Sequence, residues 1–228
     1  MRRTRMVLVL ALATTAGVSL SAHAATQRSY LAGGYTMADF PLGDWGKIAG
    51  FGIGLDGTNL TYLNPAKPLA IRSSLGFIYN FSRTQDVPQS NIGVNDKLSL
   101  ETKNGTLYFG LGPELGKRNG PMSPFVFGTV GFNTYWTSSN LSGTVGGLPY
   151  EARFGDSRIA FAWAAGGGVR KQVTHGESVE VSLEYRSGGG HMFVLPGEIT
   201  TSGTAVNAER KARTTDQLLL RLGTVLGY

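Results

Sequence analysis

The chain has 228 residues, 41% of them hydrophobic, and 21 Lys and Arg against 15 Asp and Glu give a net charge of +6. It contains no cysteine, which excludes disulfides, thiol chemistry and Cys-ligated metals, and no basic run with interleaved aromatics marks a nucleic-acid partner. Glycine, at 33 residues, stands far above its usual ~7% share.

The first element is MRRTRMVLVLALATTAGVSLSAHA. Three arginines precede an apolar run from Met6 to about Leu20, which closes on Ala22-His23-Ala24. A basic start, a short apolar middle and a small-x-small end make a cleaved export signal, residues 1–24. A membrane anchor needs roughly 20 apolar residues, and Thr14, Thr15 and Gly17 interrupt this run. Cleavage removes Arg2, Arg3 and Arg5 and leaves 204 residues, 25–228, at +3.

The rest of the chain alternates with period two, the mark of strands with two unlike faces. Eight strands are expected, at 28–39, 47–63, 68–83, 104–117, 124–138, 158–173, 178–194 and 215–228. In the third, Leu69, Ile71, Leu75, Phe77, Tyr79 and Phe81 share one face, against Ala70, Arg72, Ser74, Gly76, Ile78 and Asn80. In the fourth, Leu107, Phe109, Leu111, Pro113 and Leu115 oppose Tyr108, Gly110, Gly112 and Glu114. In the seventh, Val181, Leu183 and Tyr185 oppose Glu180, Ser182, Glu184 and Arg186. The last sets Leu218, Leu220, Leu222, Leu226 and Tyr228 against Gln217, Arg221, Gly223, Val225 and Gly227. Connections alternate between tight turns (65–68, 118–123, 174–178) and polar stretches of about 20 residues (84–103, 139–157, 195–214), with 40–46 a short exception. One end is trimmed and the other shaggy.

Two closed all-β architectures fit eight alternating strands. A lipocalin-like barrel turns its apolar phase inward around a ligand. A transmembrane barrel turns it outward to lipid and fills a narrow bore with the polar phase. The polar phase here is dominated by Gly, Ala and Ser, with charges of both signs at Asp56, Arg72, Glu114, Arg170, Glu180, Glu184, Arg186 and Arg221. A crowded lumen needs small residues; a solvated outer face does not. The apolar phase carries Phe51, Phe77, Phe109, Phe161, Trp163 and Tyr185, which suit lipid and overfill a bore. An eight-stranded antiparallel up-and-down transmembrane barrel is therefore expected.

The final residues, RLGTVLGY, bear on the same question. They resemble the C-terminal assembly signal of bacterial outer-membrane proteins, with Arg221, Gly223, Leu226 and the terminal aromatic Tyr228 in the pattern's positions. The glycine and aromatic rhythm of GFGIGLDGTNLTYLNPAKPLAIRSSLGFIY, LYFGLGPEL, PFVFGTVGF and AWAAGGGVR is similar to that of the single-domain, eight-stranded members of the OmpA-like superfamily. This resemblance implies an outer-membrane location. It also implies lipid partners that include lipopolysaccharide, passage through periplasmic chaperones and the barrel-assembly machinery, and a monomer. No wall-binding domain is expected after the barrel.

Three functions compete. The first is a structural or surface-interaction barrel, with the eight lumen charges paired into a plug. On this reading Arg186 and Arg221 face Glu180, Glu184 or Glu114. The second is a narrow channel, against which four acids balanced by four arginines argue, because a selectivity ring carries one sign. The third is an enzyme. Some barrels of this resemblance modify lipid A, placing a histidine and a serine two residues apart; His191 is followed at that spacing by Phe193, and His175 sits in a turn. No catalytic residue, cofactor or metal site is expected. Gly166–Gly168 and Gly188–Gly190 precede no helix start, so they fit close strand packing rather than phosphate binding.

Overall fold

The computed structural model describes residues 30–64, 67–117, 121–174 and 176–227. Eight long strands close into one antiparallel ring: β1 (Tyr30–Leu42), β2 (Gly52–Tyr62), β3 (Leu69–Asp86), β4 (Lys97–Gly116), β5 (Met122–Val145), β6 (Leu148–Thr174), β7 (Glu177–Phe193) and β10 (Lys211–Gly227). Each strand pairs with its sequence neighbour, and β10 returns to β1 along Leu31↔Gly227 to Leu42↔Asp216. A short hairpin, β8 (Ile199–Ser202) with β9 (Ala205–Ala208), is inserted between β7 and β10. The expected signal at 1–24, His175 and Tyr228 lie outside the described residues.

Alternation sets the two faces. Leu55, Leu75, Phe77, Phe109, Phe161, Leu183 and Leu222 are all exposed on the outside, while their strand neighbours Asp56, Ser74, Tyr108, Ala160, Ser182 and Arg221 are buried inside. So many exposed large hydrophobics would be ruinous in water; around a closed ring they form a belt for lipid. The belt carries aromatic pairs such as Phe51–Phe81 and Phe77–Trp136, with ring centroids 6.3 and 5.5 Å apart.

The shaggy end differs from expectation. Half of the stretch 84–103 and nearly all of 139–157 are strand, not loop. β3 and β4 continue outward to Asp86↔Ser99, and β5 and β6 run unbroken to Val145↔Leu148. Gly146 and Gly147 close that ribbon with φ of +57° and +77°, the two left-handed positions a type I′ hairpin requires. The Ser/Thr/Asn/Gly composition conceals a second core. Val87, Leu98, Leu100, Leu141, Val145 and Ile199 pack together there, and Val206 and Ala208 of β9 lie against them.

A second difference is α1 (Trp45–Ile48), one helical turn in the connection from β1 to β2. Trp45 is completely buried, with its ring edge-on to Tyr135 and His191 at 5.8 and 5.7 Å. The segment is pinned through its carbonyls: Gly46 O accepts from Arg83, Lys47 O from Gln85, Ile48 O from Asn104 and Gly50 O from Asn80. It caps the barrel mouth.

The lumen is also more aromatic than the small-residue pattern suggests. Tyr35, Tyr108, Phe125, Phe127 and Tyr135 all point inward. Glycines make room for them: a Cβ on Gly166 would stand 2.7 Å from the Phe127 ring.

Candidate functional site

The eight lumen charges are all nearly or fully buried, at 0 to 6% exposure, and they form two clusters. Near the short-turn end, Arg72, Glu114, Arg170 and Glu180 close a square. Arg72 Nη1 donates to Glu114 Oε2 at 2.7 Å and Arg170 Nη1 to Glu114 Oε1 at 2.6 Å. Arg170 Nε donates to Glu180 Oε2 at 2.6 Å, and Arg72 Nη2 stands 3.7 Å from Glu180 Oε1. Higher in the bore, Arg186 reaches Glu184 Oε1 through Nε and Nη2 at 2.9 and 2.5 Å. Arg221 bridges Glu184, at 3.2 Å, and Asp56. Thr58 joins the clusters, accepting from Arg221 at 2.8 Å and from Arg72 at 3.4 Å.

Each arginine also lies over an aromatic ring. Arg72 stands 4.2 Å from the Phe127 centroid, Arg170 4.0 Å from Phe125, Arg186 3.7 Å from Tyr108 and Arg221 4.4 Å from Tyr35. A guanidinium set over a ring and hydrogen-bonded to carboxylates gains both kinds of contact at once. Four positive and four negative charges cancel. Below the square, Leu60, Tyr62 and Ala70 close the bore with Leu31. Beside the second cluster, Met37, Ile78, Tyr108 and Leu219 pack together as an apolar layer. Charged, aromatic and apolar side chains occupy the bore at these levels.

Arg186 and Arg221 therefore share Glu184, while Glu114 and Glu180 serve Arg72 and Arg170. Of the expected assembly pattern, Arg221 points into the lumen as part of this network, and Gly223 and Leu226 lie in β10.

Sequence reasoning missed the mouth. His191 is buried under Trp45, its Nε2 2.9 Å from Thr137 Oγ1 and its Nδ1 3.7 Å from Asp156. A hydroxyl, an imidazole and a carboxylate in sequence invite comparison with a nucleophile triad, and the hydrogen-bond directions contradict it. Asn104 donates its amide to Ile48 O, so its oxygen accepts the Thr137 hydroxyl proton at 2.8 Å. Thr137 can then only accept from His191 Nε2–H, which leaves Nδ1 bare toward Asp156. That is the reverse of a base activating a hydroxyl. Among the described residues, no three His, Asp or Glu gather to hold a metal.

Outside the membrane, the hairpin is fastened electrostatically. Burial pushes the Glu198 carboxyl up, but hydrogen bonds from Arg213, the Leu195 N–H and Lys211 outweigh it and hold the group at about 2. Arg213 also reaches Asp44 at 3.0 Å, tying the cap segment to β10.

A closed antiparallel ring, an apolar belt, a polar filled bore and contrasting ends define a transmembrane β-barrel. The chain belongs to the outer membrane protein beta-barrel domain family, whose model matches residues 9–211, and its place is the bacterial outer membrane. The fold is similar to that of a major outer membrane protein from Thermus thermophilus, at 16% identity and TM-score 0.49, covering 90% of this chain and 100% of that one. It is also similar to Ail, the attachment invasion locus protein of Yersinia pestis, at 12% identity and TM-score 0.45, covering 89% and 100%. Neisserial surface protein A matches at 10% identity and TM-score 0.44, covering 88% and 97%. No curated protein matches the chain.

Proposed function

We propose that this is a closed, non-catalytic outer-membrane barrel whose role is structural and surface-interactive, with the extracellular sheet as its working surface and residues 1–24 removed on export. The observation that carries the reading is an open strand edge. Among the described residues, β6 pairs from Leu148 to Phe161 with β5 alone, and its pairing with β7 begins only at Ala162↔Gly188. Such an edge presents unpaired N–H and C=O groups, a template for an added strand. Its outer face carries Glu151 and Arg153 in a mutual ion pair, and its inner face carries half-buried Tyr150 and Phe154 against the second core. Arg83, Lys103 and Arg158, exposed above the belt, suit the anionic headgroups of lipopolysaccharide.

Phage-displayed peptides selected on the reconstituted protein are expected to be extended, with apolar residues at alternate positions. N-methylation of a peptide's alternate amides should abolish its binding. Selection of no strand-forming peptide, or binding indifferent to N-methylation, defeats the edge as the contact.

The narrow-channel reading has one observation in its favour: Arg72 Nε, Arg170 Nη2 and Arg221 Nε have no protein partner among the described residues, and water is their natural acceptor. Planar-bilayer recording separates the two. The plug predicts little or no steady current from the unmodified protein; a large, stable, ion-selective conductance promotes the channel.

A further inference from the structure

Asp39 stands apart from the balanced charges below it. It is completely buried, and among the described residues no Lys, Arg or His pairs with it. Its Oδ2 accepts from Asn80 Nδ2 at 2.6 Å and from Gln217 Nε2 at 3.4 Å. Asn80 Nδ2 also donates to Gly50 O at 3.1 Å, and a carbonyl only accepts, so the orientation of that amide is set. Among the described residues three oxygens then have no partner: Asp39 Oδ1, Asn80 Oδ1 and Gln217 Oε1. All three residues are at 0% exposure, and an unsatisfied buried acceptor is costly, a charged one most of all.

The register explains how they meet. Asp39↔Gly52 and Gly52↔Asn80 place the first two in one cross-strand row on either side of a glycine. A Cβ on Gly52 would stand 2.6 Å from Asn80 Nδ2 and 3.1 Å from Asp39 Oδ2, so a side chain there would intrude on the pair.

We propose that Asp39, Asn80 and Gln217 form a binding site for one monovalent hard cation, Na+ by preference, at the outer end of the lumen beneath the Trp45 cap. Oxygen-only ligands select a hard ion, and a single carboxylate with neutral amide oxygens balances one positive charge. The ion supplies the counter-charge that the arginines, committed to the clusters below, do not.

The test is thermal unfolding of the purified protein in non-ionic detergent, with NaCl exchanged for choline chloride at constant ionic strength. Na+ should raise the melting midpoint by on the order of 3–6 °C at roughly tenfold above its Kd. Asp39→Asn should abolish the Na+ dependence while the protein still shows its heat-modifiable shift on a gel. Gln217→Met keeps the charge, removes one oxygen, and should raise the Na+ concentration required. If Asp39→Asn does not fold, Gln217→Met and broadening of the 23Na resonance by the unmodified protein carry the test. Equal midpoints in Na+ and choline overturn the site. So does stabilisation by acid alone, which makes a proton the neutralising partner, and a response to Ca2+ without one to Na+ overturns the monovalent assignment.

Discussion

Arg221→Met should unfold at markedly lower urea than the parent, losing about 3–5 kcal/mol, because a buried ion pair broken on one side strands the other side. The stranded group is Asp56. Glu184 keeps Arg186, but Asp56 is left with the Thr58 hydroxyl at 2.7 Å and the Tyr108 hydroxyl at 2.6 Å, and no cation of its own. The loss also removes a guanidinium from the face of Tyr35, leaving a void in a bore that water reaches poorly. The double variant Asp56→Leu, Arg221→Met should recover most of the stability, since replacing a buried pair by apolar groups is often neutral or better. Tryptophan fluorescence during urea unfolding in lipid vesicles measures both. A single variant within about 1 kcal/mol of the parent means that the network is hydrated and weak, and the plug loses its physical basis.

Which parts of this site a reader of the sequence alone can find follows from what periodicity encodes. Period two assigns a side to each residue, so Asp56, Arg72, Glu114, Arg170, Glu180, Glu184, Arg186 and Arg221 were legible as one lumen population. Their partners were not. Whether Arg221 meets Glu184 or Glu114 depends on ring closure between β10 and β1 and on the stagger of the strands, which no single strand records. Phe125 and Phe127 were hidden for another reason: apolar residues on both faces of β5 erase the contrast that marks a side. Trp45 lies in a one-turn helix too short for any period, so its place as the cap emerges only in three dimensions. Asp39 sits in β1, where Gly33 and Gly34 blur the alternation. The outer halves of β4, β5 and β6 read as loops because Ser, Thr and Asn are shared by loops and solvated strands. Only the thin apolar thread of Leu98, Leu100, Leu141 and Val145 betrays them.

Leu183→Arg probes the other face, and a loss of roughly 2–4 kcal/mol is expected if the side chain meets the bilayer near its middle. Leu183 is 50% exposed and lies between Val181 and Tyr185 along β7, opposite Leu220 of β10, which is itself exposed. Its immediate neighbours Val181, Tyr185 and Leu220 carry no carboxylate, so a guanidinium there must reach along the strands toward Asp216 or a headgroup. Leu183→Phe, apolar and lipid-facing, is the control and should change stability little. Ser182→Arg, one residue away, is no mild comparison. Its Oγ points at Glu180 Oε1 at 3.4 Å, it is buried in room left only by the missing side chain of Gly168, and a fifth cation would unbalance four acids already committed. It should be destabilising through crowding and charge rather than through lipid. The two failures are distinguishable, because thickening the bilayer should deepen the cost at Leu183 and leave that at Ser182 unchanged. If instead Ser182 is the position labelled by lipid-phase probes and Leu183 is shielded, the register of β7 is off by one residue. Every side chain on that strand then changes sides, and the charge network goes with it.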